Sequence, residues 1–185
     1  KGKRRFSLRS WPVWIGILLV GVVYVGLFYY FFVGPFSFRW KAMYGEPVYP
    51  EGYSVRGIDI SHYQANIEWE HLRNASMNND PVRFVIIKAT EGTSLMDENF
   101  NDNFYQAKRN DFIRGAYHFF VPGIDAKQQA RFFMRQVHLE PGDLPPVLDV
   151  EKMGNLTPQQ LRRDVKTWLD MVEARYHVKP IIYTY

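Results

Sequence analysis

The sequence predicts an α/β protein built from parallel βα units and preceded by one transmembrane helix. Two observations lead to this expectation. Apolar segments alternate with amphipathic segments four times before a fifth apolar segment, which is typical of strands that pair in parallel under a layer of helices. An uncharged stretch precedes the alternation. The alternation fits either an open doubly wound sheet or a barrel.

The uncharged stretch runs from Trp11 to Val33. At about 1.5 Å per residue, it is long enough to cross a hydrocarbon core of roughly 30 Å. Trp11, Trp14 and Trp40 lie near its ends, where amphipathic rings prefer the membrane interface. A cleaved signal peptide has a shorter apolar region followed by small residues. We therefore expect an uncleaved anchor that contacts the lipid bilayer through residues 11–33.

Positive charge is concentrated before this stretch, and only Arg39 and Lys41 follow it closely. Because the more basic flank stays in the cytoplasm, we expect a single-pass protein with a cytoplasmic N-terminus and its main domain in the periplasm or cell envelope. The expected organisation is a basic flank (1–10), an anchor (11–33), a linker (34–54) and a main domain (55–185).

The net charge of +4 belongs to the membrane flank. All 19 acidic residues lie from Glu46 onward, so the part after the anchor carries a small negative charge. This distribution of charge argues against a nucleic-acid partner. The chain has no cysteine, which excludes disulfides and thiolate metal sites.

The predicted strands are short apolar segments, rich in β-branched or aromatic residues and bounded by turn-forming residues. None is followed by a glycine-rich phosphate-binding loop, which argues against a nucleotide-binding sheet. In order they are VRGIDIS (55–61), VRFVIIKAT (82–90), IRGAYHFF (113–120), PPVLDVE (145–151) and PIIYTY (180–185).

Helical periodicity connects these strands. In the second predicted helix, Phe100, Phe104 and Ala107 fall on one face. The third helix follows an N-cap pattern at Asp125, and the fourth follows a capping box that starts at Thr157. The four predicted helices cover 67–79, 98–110, 126–138 and 157 to about 175.

Polar residues collect at the C-terminal ends of the predicted strands, where parallel α/β proteins place their functional sites. Side chains alternate along a strand, so Asp149 and Glu151 point the same way, with Cα atoms roughly 6.6 Å apart. The polar set comprises Asp59, Ser61, His62 and Tyr63; Lys88, Thr90 and Glu91; Tyr117, His118 and Phe119; Asp149 and Glu151; and Tyr183 and Tyr185.

Converging carboxylates suit either a divalent metal or acid/base work on a glycosidic bond. Like charges at close range should raise the pKa of at least one of them. Each residue also has a structural interpretation that the sequence leaves open: Asp59 as a loop cap, His118 as a hydrogen-bonded core residue, Glu91 as an ion-pair partner of Lys88 or Arg114, and Tyr183 and Tyr185 as wall or core.

Four motifs in register, GIDISHYQ, FVIIKATEGTS, RGAYHFF and PPVLDVE, resemble the family 25 glycoside hydrolases, the lysozyme-type N-acetylmuramidases. The resemblance covers about Val55 to Tyr185. It implies an irregular (β/α) barrel of five βα units followed by strands with little helix between them. It also implies cleavage of the β-1,4 bond between N-acetylmuramic acid and N-acetylglucosamine in peptidoglycan glycan strands, without a metal or other cofactor.

The resemblance also implies roles for individual residues. Glu151 matches the general acid, Asp149 matches its partner carboxylate, and Asp59 matches the acid of the first strand. The expected pocket lining is Glu91, Tyr117 and His118. Aromatic faces cover the apolar faces of sugar rings, so we add Tyr63, Phe119 and Tyr183 to the expected substrate-binding residues.

The sequence departs from the family pattern in two ways. It ends inside the fifth strand, so we expect a fragment of a longer natural chain that lacks the last barrel strands. It also carries an anchor, whereas many such muramidases are secreted freely. Three alternatives remain open: a metal-dependent barrel hydrolase with Asp59, His118, Asp149 and Glu151 as ligands, a non-catalytic glycan-binding or scaffold module of the envelope, and hydrolysis of chitin.

Two acids side by side on one strand do not flank a sugar ring as the usual nucleophile and acid/base pair do. This placement favours substrate assistance, in which the 2-acetamido group of the sugar attacks its own anomeric carbon. The expected outcome is retention of the β configuration.

The charge asymmetry around Trp11–Val33 predicts the topology of the chain. A periplasmic reporter enzyme fused after Tyr53 should be active, because the chain that follows the anchor should lie outside the cytoplasm. The matched control is the same fusion with the basic residues of 1–10 replaced by neutral ones, which should lower reporter activity. Activity only from a cytoplasmic reporter would contradict the predicted orientation.

Overall fold

The computed structural model describes residues 11–33, 52–77 and 79–184. The chain divides into two units, Lys1–Gly52 and Tyr53–Tyr185. The predicted basic flank, most of the predicted linker, Trp40 and Tyr185 lie outside the described residues.

The described part of the first unit is helical. Helix α1 (Trp11–Phe28) continues into a π-helical turn (Tyr29–Val33). The window Trp14–Phe31 has a mean hydropathy of 2.0, and none of it is buried. The helix is long and apolar enough to cross a membrane, and a signal sequence near an N-terminus meets the same criterion.

The second unit is built on one seven-stranded sheet. Its path is β1-β3-β5-β6-β7, and every neighbouring pair on this path is parallel. These five strands correspond to the five predicted ones. Two short antiparallel strands, β2 and β4, also pair with β3. The strands are β1 (Arg56–Ile60), β2 (Ser76–Met77), β3 (Asp80–Glu91), β4 (Leu95–Met96), β5 (Ile113–Phe119), β6 (Val147–Asp149) and β7 (Ile181–Tyr183).

The helices connect the parallel strands in the predicted order, with one correction. The first is much shorter than the predicted 67–79, because Ser76–Met77 leaves the helix and pairs with the start of β3. Asn79 turns the chain with φ 67°, a left-handed conformation that asparagine tolerates. The helices are α2 (Trp69–Arg73), α3 (Phe100–Arg109), α4 (Ala126–Gln136) and α5 (Pro158–Tyr176), with a 3₁₀ turn at His62–Gln64.

Both predicted caps are confirmed. The Asp125 carboxylate accepts hydrogen bonds from the backbone N–H groups of Lys127 and Gln128, at 2.7 and 3.1 Å. Thr157 and Gln160 form a reciprocal capping box with proline in the first turn. These side chains satisfy backbone donors that would otherwise lack partners, so they define where α4 and α5 begin.

The hydrophobic core lies between the sheet and the helices. Val85, Ile87 and Ala89 of β3 face it and are 0 % exposed. Phe133 of α4 and Trp168 of α5 pack against it from the helix layer. The predicted buried face of α3 is confirmed, since Phe100, Phe104 and Ala107 are all buried. The helices thus cover one face of the sheet.

The other face of the sheet is concave. Residues of β1 at one edge and β7 at the other line the same cavity, which requires the sheet to curl. Curling of a parallel sheet with helices outside gives the geometry of half a (β/α) barrel. The predicted βα architecture is therefore present as a half-barrel.

Candidate active site

A cavity of about 560 Å³ lies on the concave side of the sheet. Its lining includes Asp59, Tyr63, Tyr117, Phe119, Asp149, Glu151 and Tyr183, all predicted as site residues. Another cleft, of about 470 Å³, lies at the beginnings of α4 and α5 and contains none of the predicted site residues. We therefore place the candidate active site in the concave cavity.

Strand alternation explains which side chains reach the cavity. In β3, Phe84, Ile86 and Lys88 line it, whereas the residues between them face the helices. Gly57 on β1 lies beneath the Phe84 ring, and a Cβ atom there would approach that ring to 2.2 Å. The floor of the cavity is therefore apolar, and polar groups collect towards the C-terminal ends of the strands.

A β-bulge near the end of β3 changes this alternation. Lys88 pairs with Tyr117, but the next pairs are Thr90 with His118 and Glu91 with Phe119, so Ala89 has no partner of its own on β5. The bulge turns Glu91 to the same side as Lys88. Their charged groups form an ion pair with Nζ and Oε2 2.6 Å apart.

This ion pair matches one of the structural interpretations of Glu91 that the sequence left open. Glu91 is not among the residues that line the cavity, although its partner Lys88 is. Glu91 is therefore linked to the site through its ion pair with Lys88.

Three carboxylates meet in the cavity. Asp149 ends β6, Glu151 follows two residues later, and Asp59 comes from the edge strand β1. The side-chain Oδ1 atom of Asp149 is buried and has no hydrogen-bond partner in the part of the chain that the structure describes. A buried acceptor without a partner is costly, and at a cavity wall it offers a point of attachment for a donor.

Burial raises the pKa of Asp149 from 3.8 to about 6, and the negative charges of Glu151 and Asp59 add to the effect. The nearby Lys88 ammonium lowers the pKa of Asp149 and so offsets part of the rise. The raised pKa that the sequence predicted for at least one carboxylate therefore falls on Asp149. At neutral pH the group is still a carboxylate.

Tyr117 lies on the central strand β5, and its phenol lines the cavity. Burial raises the pKa of Tyr117 above its usual value, and the charges of Asp59, Asp149, Asp97 and Glu151 raise it further. The phenol therefore stays protonated and can donate a hydrogen bond to a ligand.

Aromatic side chains border the cavity on both sides. Tyr63, in the 3₁₀ turn after β1, is 81 % exposed at the rim. Phe119 and Tyr183 pair in register with Glu91 and Asp149. Such faces suit the apolar faces of sugar rings.

The structure does not bring His118 into the cavity. Its side chain is 0 % exposed and packs between the sheet and the helices, where the ring stacks on Trp168 with centroids 5.7 Å apart. It hydrogen-bonds to Thr90 at 2.7 Å and to Gln129 at 3.1 Å. Burial lowers the pKa of His118 to about 4. This placement matches the core interpretation of His118.

Hydrogen bonds determine the tautomer of His118. The Gln129 amide nitrogen donates to the carbonyl oxygens of Val121 and Ile124, so its Oε1 atom faces His118. The Nε2 atom of His118 must therefore carry the proton, and Nδ1 accepts from the Thr90 hydroxyl. Every polar atom of this ring is satisfied inside the core.

The sequence placed Lys88 and Ser61 in the polar set at the strand ends but gave neither a role in the site, and it missed Gln64 as a cavity residue. Period-two alternation in VRFVIIKAT contained the necessary signal, since it places Phe84, Ile86 and Lys88 on one face. The side chains of Ser61 and Gln64 cap each other in the turn after β1.

Within residues 11–33, 52–77 and 79–184, no three His, Asp or Glu side chains are grouped closely enough to hold a metal ion. His118, one of the four ligands of the metal-dependent alternative, faces the helices. That alternative therefore finds no preformed ligand set in this part of the chain.

A curled parallel sheet with half-barrel geometry that collects carboxylates at the C-terminal ends of its strands is typical of (β/α) hydrolases. Comparison with known proteins specifies the family. Residues 58–185 match the glycosyl hydrolases family 25, and the chain belongs to this family.

Relatives and a solved structure agree with this assignment. The chain is 44% identical over 135 residues to the uncharacterized protein YegX of Escherichia coli O6:H1, covering 73% of this chain and 50% of that protein. It is 36% identical over 140 residues to Lysozyme M1 of Streptomyces globisporus, covering 70% of this chain and 46% of that protein.

The structure of a family 25 glycosyl hydrolase from Bacillus anthracis superposes with a TM-score of 0.67 at 30% identity, covering 74% of this chain and 63% of that one. The chain spans about half the length of the curated relatives it matches.

The environment of Asp149 predicts a pH-dependent stability difference. Because its pKa is raised to about 6 in the folded state, the folded state binds this proton more tightly than the unfolded state, and stability is lost as pH rises from about 4 to about 6. Asp149→Asn, which is always neutral, should be more stable than the wild type above pH 6 by about 1–2 kcal/mol after screening by water in the open cavity. The difference should shrink towards pH 4.

Urea unfolding at a series of pH values measures this difference. Asp102→Asn, on the exposed side of α3, is the matched control for losing one surface carboxylate. A stability difference for Asp149→Asn that does not grow between pH 4 and pH 6 would contradict the assigned environment.

Proposed function

We propose that this protein is a peptidoglycan hydrolase that cleaves the β-1,4 bond between N-acetylmuramic acid and N-acetylglucosamine. The observation that carries the proposal is the convergence of Asp59, Asp149 and Glu151 in one cavity of a family 25 chain. The name of the relative Lysozyme M1 supports the same substrate class.

The proposed general acid is Glu151. It lies just beyond the end of β6, lines the cavity and is partly exposed, so a glycosidic oxygen can reach it. In the proposed reaction its proton passes to the leaving oxygen as the bond from that oxygen to the anomeric carbon breaks.

The proposed partner is Asp149 as a carboxylate. The 2-acetamido oxygen of the muramic acid attacks its own anomeric carbon and gives a positively charged oxazolinium intermediate. The unpartnered Oδ1 atom of Asp149 is suited to accept a hydrogen bond from the acetamido N–H. The negative charge of the carboxylate stabilises the positive charge that develops on this group. Water then adds to the anomeric carbon and returns a proton to Glu151, so the product keeps the β configuration.

The remaining lining groups have supporting roles in this proposal. Asp59 on the opposite edge of the sheet holds the acetamido group or the incoming water. The protonated phenol of Tyr117 donates a hydrogen bond to the sugar, and Tyr63 covers one sugar face at the rim. Phe119 and Tyr183 complete the aromatic border.

We also propose that the enzyme works outside the cytoplasm, held at the membrane by residues 11–33, with 34–54 as linker and 55–185 as the catalytic part. The apolar helix within 11–33 and the cell-wall substrate support this arrangement. Local remodelling of the wall next to the membrane is the corresponding role.

The test of the activity is digestion of purified peptidoglycan by the full-length protein, with the new reducing ends identified by mass spectrometry. Glu151→Gln should lower the rate by about 10²–10⁴-fold while glycan binding persists, because only proton transfer is lost. Glu140→Gln removes an exposed carboxylate at the opposite end of the strands and should keep wild-type activity.

Three outcomes would favour the alternatives. Glycan binding with no hydrolysis by the wild type would indicate a non-catalytic binding module. Hydrolysis that is abolished by a chelator and restored by a divalent cation would indicate the metal-dependent enzyme. Release of N-acetylglucosamine oligomers from chitin, with no action on peptidoglycan, would change the substrate.

The stereochemistry of the first product tests the mechanism. Proton NMR of the anomeric region during early turnover should show the β anomer first, with the α anomer growing later by mutarotation. Asp149→Asn should cost nearly as much rate as Glu151→Gln, because the acetamido group then lacks its charged partner. An α product at first appearance, or a covalent glycosyl adduct on either aspartate, would overturn substrate assistance.

A further inference from the structure

Lys88 is a buried cation inside the acid-rich cavity. Among the described residues that line this cavity, it is the only lysine or arginine. Its side chain is 7 % exposed. The three carboxylates of the proposed site, from Asp59, Asp149 and Glu151, share the cavity with it. A cation buried at this position is expensive unless it compensates a nearby negative charge.

The bulge in β3 supplies a direct partner for Lys88. Because Ala89 is the extra residue, Glu91 points to the same side and its carboxylate lies 2.6 Å from the ammonium. The ammonium also lies 5.1 Å from the centre of the Phe119 ring. It is therefore fixed by an ion pair on its own strand and by a ring on the neighbouring strand.

The register of the sheet places Phe119 between Glu91 and Asp149. Glu91, Phe119 and Asp149 occupy one row across β3, β5 and β6. Lys88 pairs with Tyr117 two rows earlier, and its ammonium reaches the Phe119 ring in the centre of the later row. The cation thus contacts a carboxylate of its own strand and lies near the ring of the residue that pairs with Asp149.

We propose that Lys88 is a positioning residue of the active site, which keeps Asp149 in the carboxylate form, and that Glu91 limits the strength of this effect by neutralising part of the ammonium charge. The inference rests on the proposed function, in which Asp149 works as a carboxylate. Lys88 acts through Asp149 and is given no proton-transfer step of its own.

The other ionisable groups around Asp149 act in defined directions. Asp59 from β1 and Glu151 from the segment after β6 oppose its ionisation, and Lys88 from β3 favours it. Lys152 is exposed and lies on the Phe119 ring at 5.7 Å. Tyr117 from β5 remains a neutral phenol. Tyr183, on the neighbouring strand β7, pairs with Asp149. Lys88 is thus the buried cation that opposes two acids.

Removing the two members of the ion pair should shift the titration of Asp149 in opposite directions. Lys88→Met should raise the titration midpoint by about one pH unit, since a nearby cation favours the charged form. Glu91→Gln should lower the midpoint, because it leaves the ammonium charge uncompensated and removes one anion. Lys88→Arg, which keeps the charge, should stay close to the wild type.

The measurement is carbon-13 NMR of the Asp149 carboxyl in the full-length protein labelled with [4-¹³C]aspartate, assigned with Asp149→Asn. It needs no turnover, so it is independent of the proposed function. The acid limb of the pH–rate profile for peptidoglycan digestion should shift in the same directions. Lys108→Met and Glu140→Gln are the matched control pair, because this ion pair is exposed at the opposite end of the strands.

Opposite shifts for Lys88→Met and Glu91→Gln, with unchanged controls, support the inference. An unchanged Asp149 midpoint in folded Lys88→Met, or shifts of the same sign in both variants, overturns it. If Lys88→Met does not fold, Glu91→Gln decides alone, and a midpoint that rises or stays constant overturns the inference. Shifts as expected in a protein that never cleaves glycan contradict the proposed function and leave the charge coupling intact.

Discussion

The pairing of β3 with β1 on one side and β5 on the other is the constraint on which the site depends. This 12-residue strand pairs in parallel with both neighbours and determines which side chains point inward. Because the side-chain period of a strand is two, a register error of one residue would exchange the core face and the cavity face. The floor of the cavity and its buried cation both follow from this pairing.

The bulge after Lys88 uses that same constraint locally. It reverses the alternation once, so Glu91 turns towards the cavity and Thr90 turns towards the helices. On the helix side Thr90 meets His118, where a closed hydrogen-bond network satisfies every polar atom of the ring. On the cavity side the carboxylates are left with fewer partners. At this strand end, the polar groups on the helix side are satisfied within the fold, whereas those on the cavity side remain available to a ligand.

The two ends of the sheet differ in the same way. At the beginning of β5, Arg114 is buried and donates two hydrogen bonds to the Asp143 carboxylate, at 2.8 and 3.2 Å. Its guanidinium also lies over the Phe104 ring at 3.9 Å. These contacts compensate the buried charge of Arg114. At the opposite end three acids share the cavity with one buried lysine, and burial together with the charges of Glu151 and Asp59 raises the pKa of Asp149 to about 6.

The sequence by itself determined the order of strands and helices, the caps at Asp125 and Thr157, and the common direction of Asp149 and Glu151. These features depend on local periodicity and on contacts within a few residues. Only the tertiary structure decided that His118 belongs to the core, that Glu91 pairs with Lys88, and that a two-residue strand shortens the first helix. The physical reason is that these outcomes depend on which strands and helices pack against each other in the folded chain. A single extra residue in a ladder changes the facing of every residue after it, and no local pattern records that residue.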